Sequence, residues 1–171
     1  MALLRALGLC LLLLGSLQAR ERPDEYAVKA VYLYKIGLFV RWPDEAFADS
    51  TQPLVVGVVG HDPFGSTLDK ALAGKTLAGR QLELRRYGTA ADVDTCHILF
   101  VGGQDRASLR ATLASVRDQA TLTIGESEDF IDAGGTLRFL VKNDQIRFRV
   151  SGEQARRSGL DISSKLLQLS E

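Results

Sequence analysis

Gly60-His61-Asp62-Pro63-Phe64-Gly65-Ser66-Thr67 comes closest, in this sequence, to a recognisable reaction centre. Its glycines stand five apart after an apolar run, the spacing of a loop that wraps backbone N–H groups around phosphates. Such a loop needs a lysine to neutralise the terminal phosphates, and Ser66 stands there instead. Asp62 would also add a carboxylate to an already anionic site. Gly74-Lys75-Thr76 supplies the lysine, but Asp69 replaces the upstream glycine. A dinucleotide fingerprint is missing as well, because Gly57 and Gly60 lie in and at the end of a strand-like run without the G-x-G-x-x-G order. The segment reads as a tight strand exit followed by a capped helix.

Acid–base and metal chemistry have little to work with. No G-x-S-x-G is present, and His61 and His97 are the only imidazoles. Cys96 and His97 are neighbours in an apolar strand, so their side chains point to opposite faces and cannot share an ion. His61 and Asp62 give two ligands where zinc takes three or four. These counts favour a buried, hydrogen-bonded His97 and a buried, inert Cys96. No catalytic residue, cofactor or metal site is expected.

Binding is better supplied. If Asn143-Asp144 is a two-residue turn, Phe139 pairs with Phe148 on the inner face of a hairpin. Arg138 then faces Arg149 on the outside, with Arg147 beside them. Opposed like charges destabilise a hairpin, so the cluster suggests an acidic partner or an anion; a solvated basic face in a shifted register is the alternative. A second candidate is the crevice at the carboxyl ends of parallel strands, where ligands of open α/β sheets settle. It would be lined by Gly60, His61, Asp62, Gly102, Gly103, Glu126 and Ser127.

The elements that must position these groups follow from composition and pattern. Arg5, the apolar Leu9–Leu14 and Leu17-Gln18-Ala19 form a secretory signal over residues 1–19, cleaved after about Ala19, with an uncleaved anchor as the alternative. Residues 20–171 remain as one domain, 152 residues with 20 basic and 21 acidic groups. That near-neutral charge gives no field for nucleic acid. With Cys10 removed, Cys96 has no internal disulfide partner. Asp24–Val40 reads as a helix ended by Trp42-Pro43. One apolar stripe runs through Val28, Tyr32, Ile36 and Phe39. A second runs through Ala27, Val31, Tyr34 and Leu38, and needs cover from a neighbouring chain or from the C-terminal segment. Val31, Tyr34 and Leu38 are thus the candidate dimer or packing face.

Strands are expected at Leu54–Val59, Gln81–Tyr87, His97–Val101 and Thr121–Ile124, helices at Pro63–Ala73 and Ala107–Val116, and a hairpin over residues 137–150. Glu153–Arg157 and Ile162–Leu169 read as helices. The fold class is α/β: a mostly parallel sheet flanked by helices, with an antiparallel hairpin at one edge. The arrangement is three-layered and Rossmann-like but not dinucleotide-binding.

In combination, these segments resemble the YfiR family of periplasmic proteins. The likeness runs through Tyr26–Tyr34, Phe39-Val40-Arg41-Trp42-Pro43, Val58–Gly65, Cys96–Val101, Ser127, Phe130, Gly134-Gly135, Phe139, Ala155–Leu160 and Ile162–Leu167. The resemblance implies a homodimeric, non-enzymatic repressor in biofilm signalling. It would bind the periplasmic sensor region of an inner-membrane diguanylate cyclase and lower cyclic di-GMP. An outer-membrane-associated protein could sequester it. Some relatives carry disulfides, which this chain cannot form internally after export. A periplasmic small-ligand sensor is the competing expectation.

Overall fold

Strands buried on both faces need a layer of helix or loop on each side, and Leu54–Gly60 and Ile98–Gly102 are buried almost throughout. The computed structural model describes residues 23–171; the signal expected over residues 1–19 lies outside them. Helix α1 (Pro23–Gly37) is followed by β1 (Val40–Arg41), β2 (Leu54–Gly60), α2 (Ser66–Leu72), β3 (Thr76–Leu77) and β4 (Arg80–Tyr87). Then come β5 (Ile98–Gly102), α3 (Arg106–Ser115), β6 (Leu122–Gly125), β7 (Leu137–Lys142) and β8 (Gln145–Val150). The chain closes with α4 (Gly152–Arg157), β9 (Asp161–Ile162) and α5 (Ser164–Gln168).

Seven strands form one sheet in the order β3-β4-β2-β5-β6-β7-β8. The five strands from β4 to β7 pair in parallel, while β3 and β8 are antiparallel at the edges. The expected α/β class, with its antiparallel hairpin at one edge, is the one observed. Alternate residues of the central strands serve two cores. Val56, Val58, Ile98, Phe100, Ile124 and Phe139 pack with Leu33, Ile36 and Leu68 from α1 and α2. Val55, Val59, Leu99 and Val101 pack with Leu109 and Leu113 of α3 and with Phe130. Phe130 is held where Gly125 and Gly135 lack side chains: a Cβ at either glycine would come within 2.3 Å of its ring.

Three boundaries differ from expectation. Helix α1 ends at Gly37, not at Trp42-Pro43, because Val40 and Arg41 pair with Ile162 and Asp161 in a separate two-stranded sheet. The same pairing removes Ile162 from the C-terminal helix, which starts at Ser164. Helix α2 starts at Ser66, not Pro63, since Gly65 takes φ 49°, outside the helical region. Asp62 caps the turn before it instead, accepting from the N–H groups of Phe64 and Gly65 at 2.8 and 3.3 Å. The β1–β9 and β3–β4 pairings are two residues long, too short for any periodicity to announce them.

Phe130→Ala empties a fully buried site that two glycines have shaped. Its expected cost is about 3–5 kcal/mol, read as a lower urea midpoint with an unchanged denaturant slope.

Candidate functional site

A buried ammonium governs the carboxyl ends of the central strands. Lys29 of α1 is 3% exposed, and its Nζ donates to Glu25 one turn earlier and to Glu126 just beyond β6. The Tyr26 hydroxyl donates to the other Glu126 oxygen at 3.3 Å, and the Lys29 ammonium stands 4.6 Å from the centre of the Tyr26 ring. Burial of a lysine is tolerated only with such pairing. Tyr26 meets Phe64 edge-on, and Phe64 meets Phe100 the same way, so polar cluster and apolar core are continuous. Sequence reasoning missed Lys29 and Glu25. The available signal was a Glu and a Lys four apart on a mostly apolar helix.

The structure brings some of the expected crevice residues together, but against each other. Gly60 and Gly102 are register partners, and the His61 carbonyl sits where a Gly102 side chain would begin, 1.8 Å from an ideal Cβ. Gly103 lies beside the His61 side chain. Asp62 accepts from Arg86 Nε at 2.7 Å, and Arg86 also reaches Asp69 and the Gly65 carbonyl. The Arg86 hydrogen bond holds the Asp69 carboxyl below its usual range. Glu126 belongs to the Lys29 cluster, on the opposite side from α3, and the Ser127 carbonyl accepts from Phe130. What stays open is a cleft of about 460 Å³ on the α3 side, lined by Gly60, Gly88, Thr89, Gly103, Gln104 and Asp105 among others. Asp105 occupies the helix start there, accepting from Ala107 and Ser108.

The arginine face is in the expected register. Arg138 pairs with Arg149 and Phe139 with Phe148, around a turn in which Asn143 and Asp144 both take positive φ. Arg147 stands opposite Leu140. Two neighbours went unread in the sequence: Lys142 on the same face, and Glu171, which folds back onto it. The Glu171 carboxylate lies 2.7 Å from Lys142 Nζ and 3.5 Å from Arg147 Nε, while its N–H donates to the Phe148 carbonyl at 3.0 Å. Lys142 first, then Arg147 and Arg149, hold the Glu171 carboxyl below its ordinary value.

Of the first apolar stripe on α1, Tyr32, Ile36 and Phe39 meet the core and Val28 does not, while Val31 and Leu38 of the second face outward. The inward face is Lys29, Ala30, Leu33 and Ile36, whereas Val28, Val31 and Leu38 are 44, 42 and 56% exposed. The C-terminal segment does not cover them. Tyr34 is half-buried, with Lys75 over its ring at 5.1 Å. Tyr32 leans on Phe139, with ring centres 6.4 Å apart. A groove therefore runs between α1 and the hairpin, floored by Val28, Tyr32, Val141 and Ile146.

The family model for YfiR/HmsC-like proteins matches residues 26–171. The chain belongs to the YfiR/HmsC-like family. Its members are, at family level, periplasmic and regulatory rather than catalytic, acting on diguanylate cyclase signalling. No curated protein matches the chain as a relative. Among the described residues no helix is long and apolar enough to cross a membrane, and no group of three His, Cys, Asp or Glu could hold a metal ion.

Against that family background Cys96 and His97 are structural. Cys96 is buried beside Tyr87 and Gly57, and burial pushes its thiol up to about 12, so it stays protonated. His97 faces the other way and stacks on Phe47 at 4.5 Å. Its Nδ1 accepts from the Val55 N–H at 3.0 Å, and Nε2 lies 3.0 Å from the Ala46 carbonyl. That fixes a neutral ring with the proton on Nε2. Burial lowers its pKa, aided by Arg80 and Arg85 and opposed by the Ala46 carbonyl.

Because the folded ring refuses a proton that the unfolded chain accepts near pH ~6.5, His97 contributes stability above that pH and loses it on acidification. The urea midpoint should fall as pH drops from 7 to 5, and His97→Gln should flatten that fall. An equal slope in both proteins would remove His97 from the account.

Proposed function

We propose that this protein is exported, loses its signal after about Ala19, and represses a membrane-bound diguanylate cyclase. It does so by binding the cyclase's periplasmic sensor region, which lowers cyclic di-GMP. The observation that carries this reading is the arginine face of the β7–β8 hairpin. Arg138, Arg147 and Arg149 stand together on an outer surface where mutual repulsion costs stability, with Glu171 as the carboxylate that reaches Lys142 and Arg147. Family membership supports the direction of the reading. An outer-membrane-associated protein that competes for the same surface would relieve repression. Val31, Tyr34 and Leu38 form the face through which the chain pairs as a homodimer, and the exposure of Val31 and Leu38 supports that role.

A second reading, a periplasmic small-ligand sensor, draws on the cleft of about 460 Å³ beside Gly60 and Gly103 at the strand ends. Calorimetry against periplasmic amino acids and nucleotides discriminates, and a flat response throughout removes it.

Deleting the gene should raise cellular cyclic di-GMP, and an unchanged level refutes the cyclase assignment. Arg147→Glu with Arg149→Glu should weaken capture of the cyclase's periplasmic region by about tenfold at low salt, with a smaller difference at high salt. Leu38→Glu should shift the sedimentation of the protein towards monomer; unaltered mass would move the dimer contact off α1.

A further inference from the structure

Strand β8 ends the sheet, and its outward backbone groups are covered along half its length. The Phe148 carbonyl accepts from the Glu171 N–H, and the Val150 N–H donates to the Ser170 hydroxyl at 2.9 Å. Backbone groups of alternate residues turn to the same side of a strand. The Phe148 N–H and both groups of Ile146 therefore face the same edge, and no partner meets them among the described residues. The two faces beside this open stretch differ sharply in chemistry. Outside stand Arg147, Arg149 and Lys142. Inside lies the groove whose apolar lining is Val28, Tyr32, Val141 and Ile146, bordered also by Glu25, Asp144 and Arg147, and in which Val28 and Val141 are 44 and 52% exposed.

We propose that the open edge of β8 takes an extended segment of the partner in which acidic and apolar residues alternate. The proposal rests on the docking reading above and specifies how the docking works. A strand laid beside β8 sends successive side chains to opposite faces. One set falls beside the arginines and must be acidic; the other falls over the groove and must be apolar. Backbone pairing supplies affinity and the alternation supplies selectivity. The chain already shows this recognition in miniature, because Glu171 donates its N–H to β8 while its carboxylate lies on Lys142 and Arg147. Charged edge residues also discourage indiscriminate pairing, and an acidic strand is the kind these cations admit.

The test uses the full mature protein and a short end-capped peptide of alternating glutamate and valine, followed by fluorescence anisotropy. The peptide is expected to bind, and the same peptide with lysine for glutamate is not. Ile146→Pro removes an N–H that points away from β7, so the hairpin survives, and affinity should drop roughly tenfold. N-methylating one alternate set of peptide amides should abolish binding while methylating the other set leaves it, since a strand pairs through one edge. Equal behaviour of the two methylated peptides, or absence of binding by the parent peptide, overturns the proposal. So does conversion of a dimer to monomer by Ile146→Pro, which would assign the edge to a second copy. Capture of the cyclase's periplasmic region by Ile146→Pro at wild-type strength would leave the regulatory reading standing and discard this edge. A wild-type protein that binds the peptide but captures no cyclase region would do the reverse.

Discussion

A lysine that is 3% exposed has to be paired, and pairing Lys29 with Glu126 fixes the rotation of α1. With Lys29, Ala30, Leu33 and Ile36 turned inward, the helix cannot also bury Val28, Val31 and Leu38. A helix turned the other way would hide those three but carry Lys29, together with Glu25 on the same helix, away from Glu126. The ionic contact thus does two jobs: it ties the start of α1 to the end of β6, and it leaves apolar surface facing outward beside the hairpin. It also shapes the strand ends, because Tyr26, Phe64 and the Lys29 cluster fill the space on the α1 side of the sheet. The cleft beside Gly60 and Gly103 lies on the α3 side.

The hairpin completes the surface from the other direction. Its inner face is anchored by Phe139 and Phe148, so its outer face and edge are presented rigidly. The arginines could have been spread over the molecule, yet Arg138, Arg147 and Arg149 share a few strand positions with Lys142. In contrast, Asp62, Asp69 and Arg86 consume one another's charge in holding α2 against β4. The first arrangement presents charge and the second spends it internally, which is why the hairpin reads as a docking surface and the His61-Asp62 loop as structure.

Much of this was legible in the sequence, for definable reasons. The runs through Leu54–Val59 and Ile98–Val101 are buried on both faces, so apolar continuity alone reveals them. The hairpin register followed from Asn143 and Asp144, which tolerate positive φ, and from strict alternation on either side. Cys96 and His97 were readable as opposed core residues because neighbours on a strand diverge. The rotation of α1 was not readable, since apolar periodicity ranks Val28 and Val31 above Lys29 and contains no information about Glu126, 97 positions away. The helix end at Gly37 was hidden by a pairing with Ile162, a tertiary contact with no local trace. Glu171 on the arginine face was missed for the same reason.

Amide hydrogen exchange along the hairpin, in the complex with the cyclase's periplasmic region, reads the central claim most directly. Binding through this surface should slow exchange at Ile146 and Phe148 and leave the amides of α3 unchanged. Protection that appears around the α3 cleft while the hairpin exchanges as in the free protein would contradict the account.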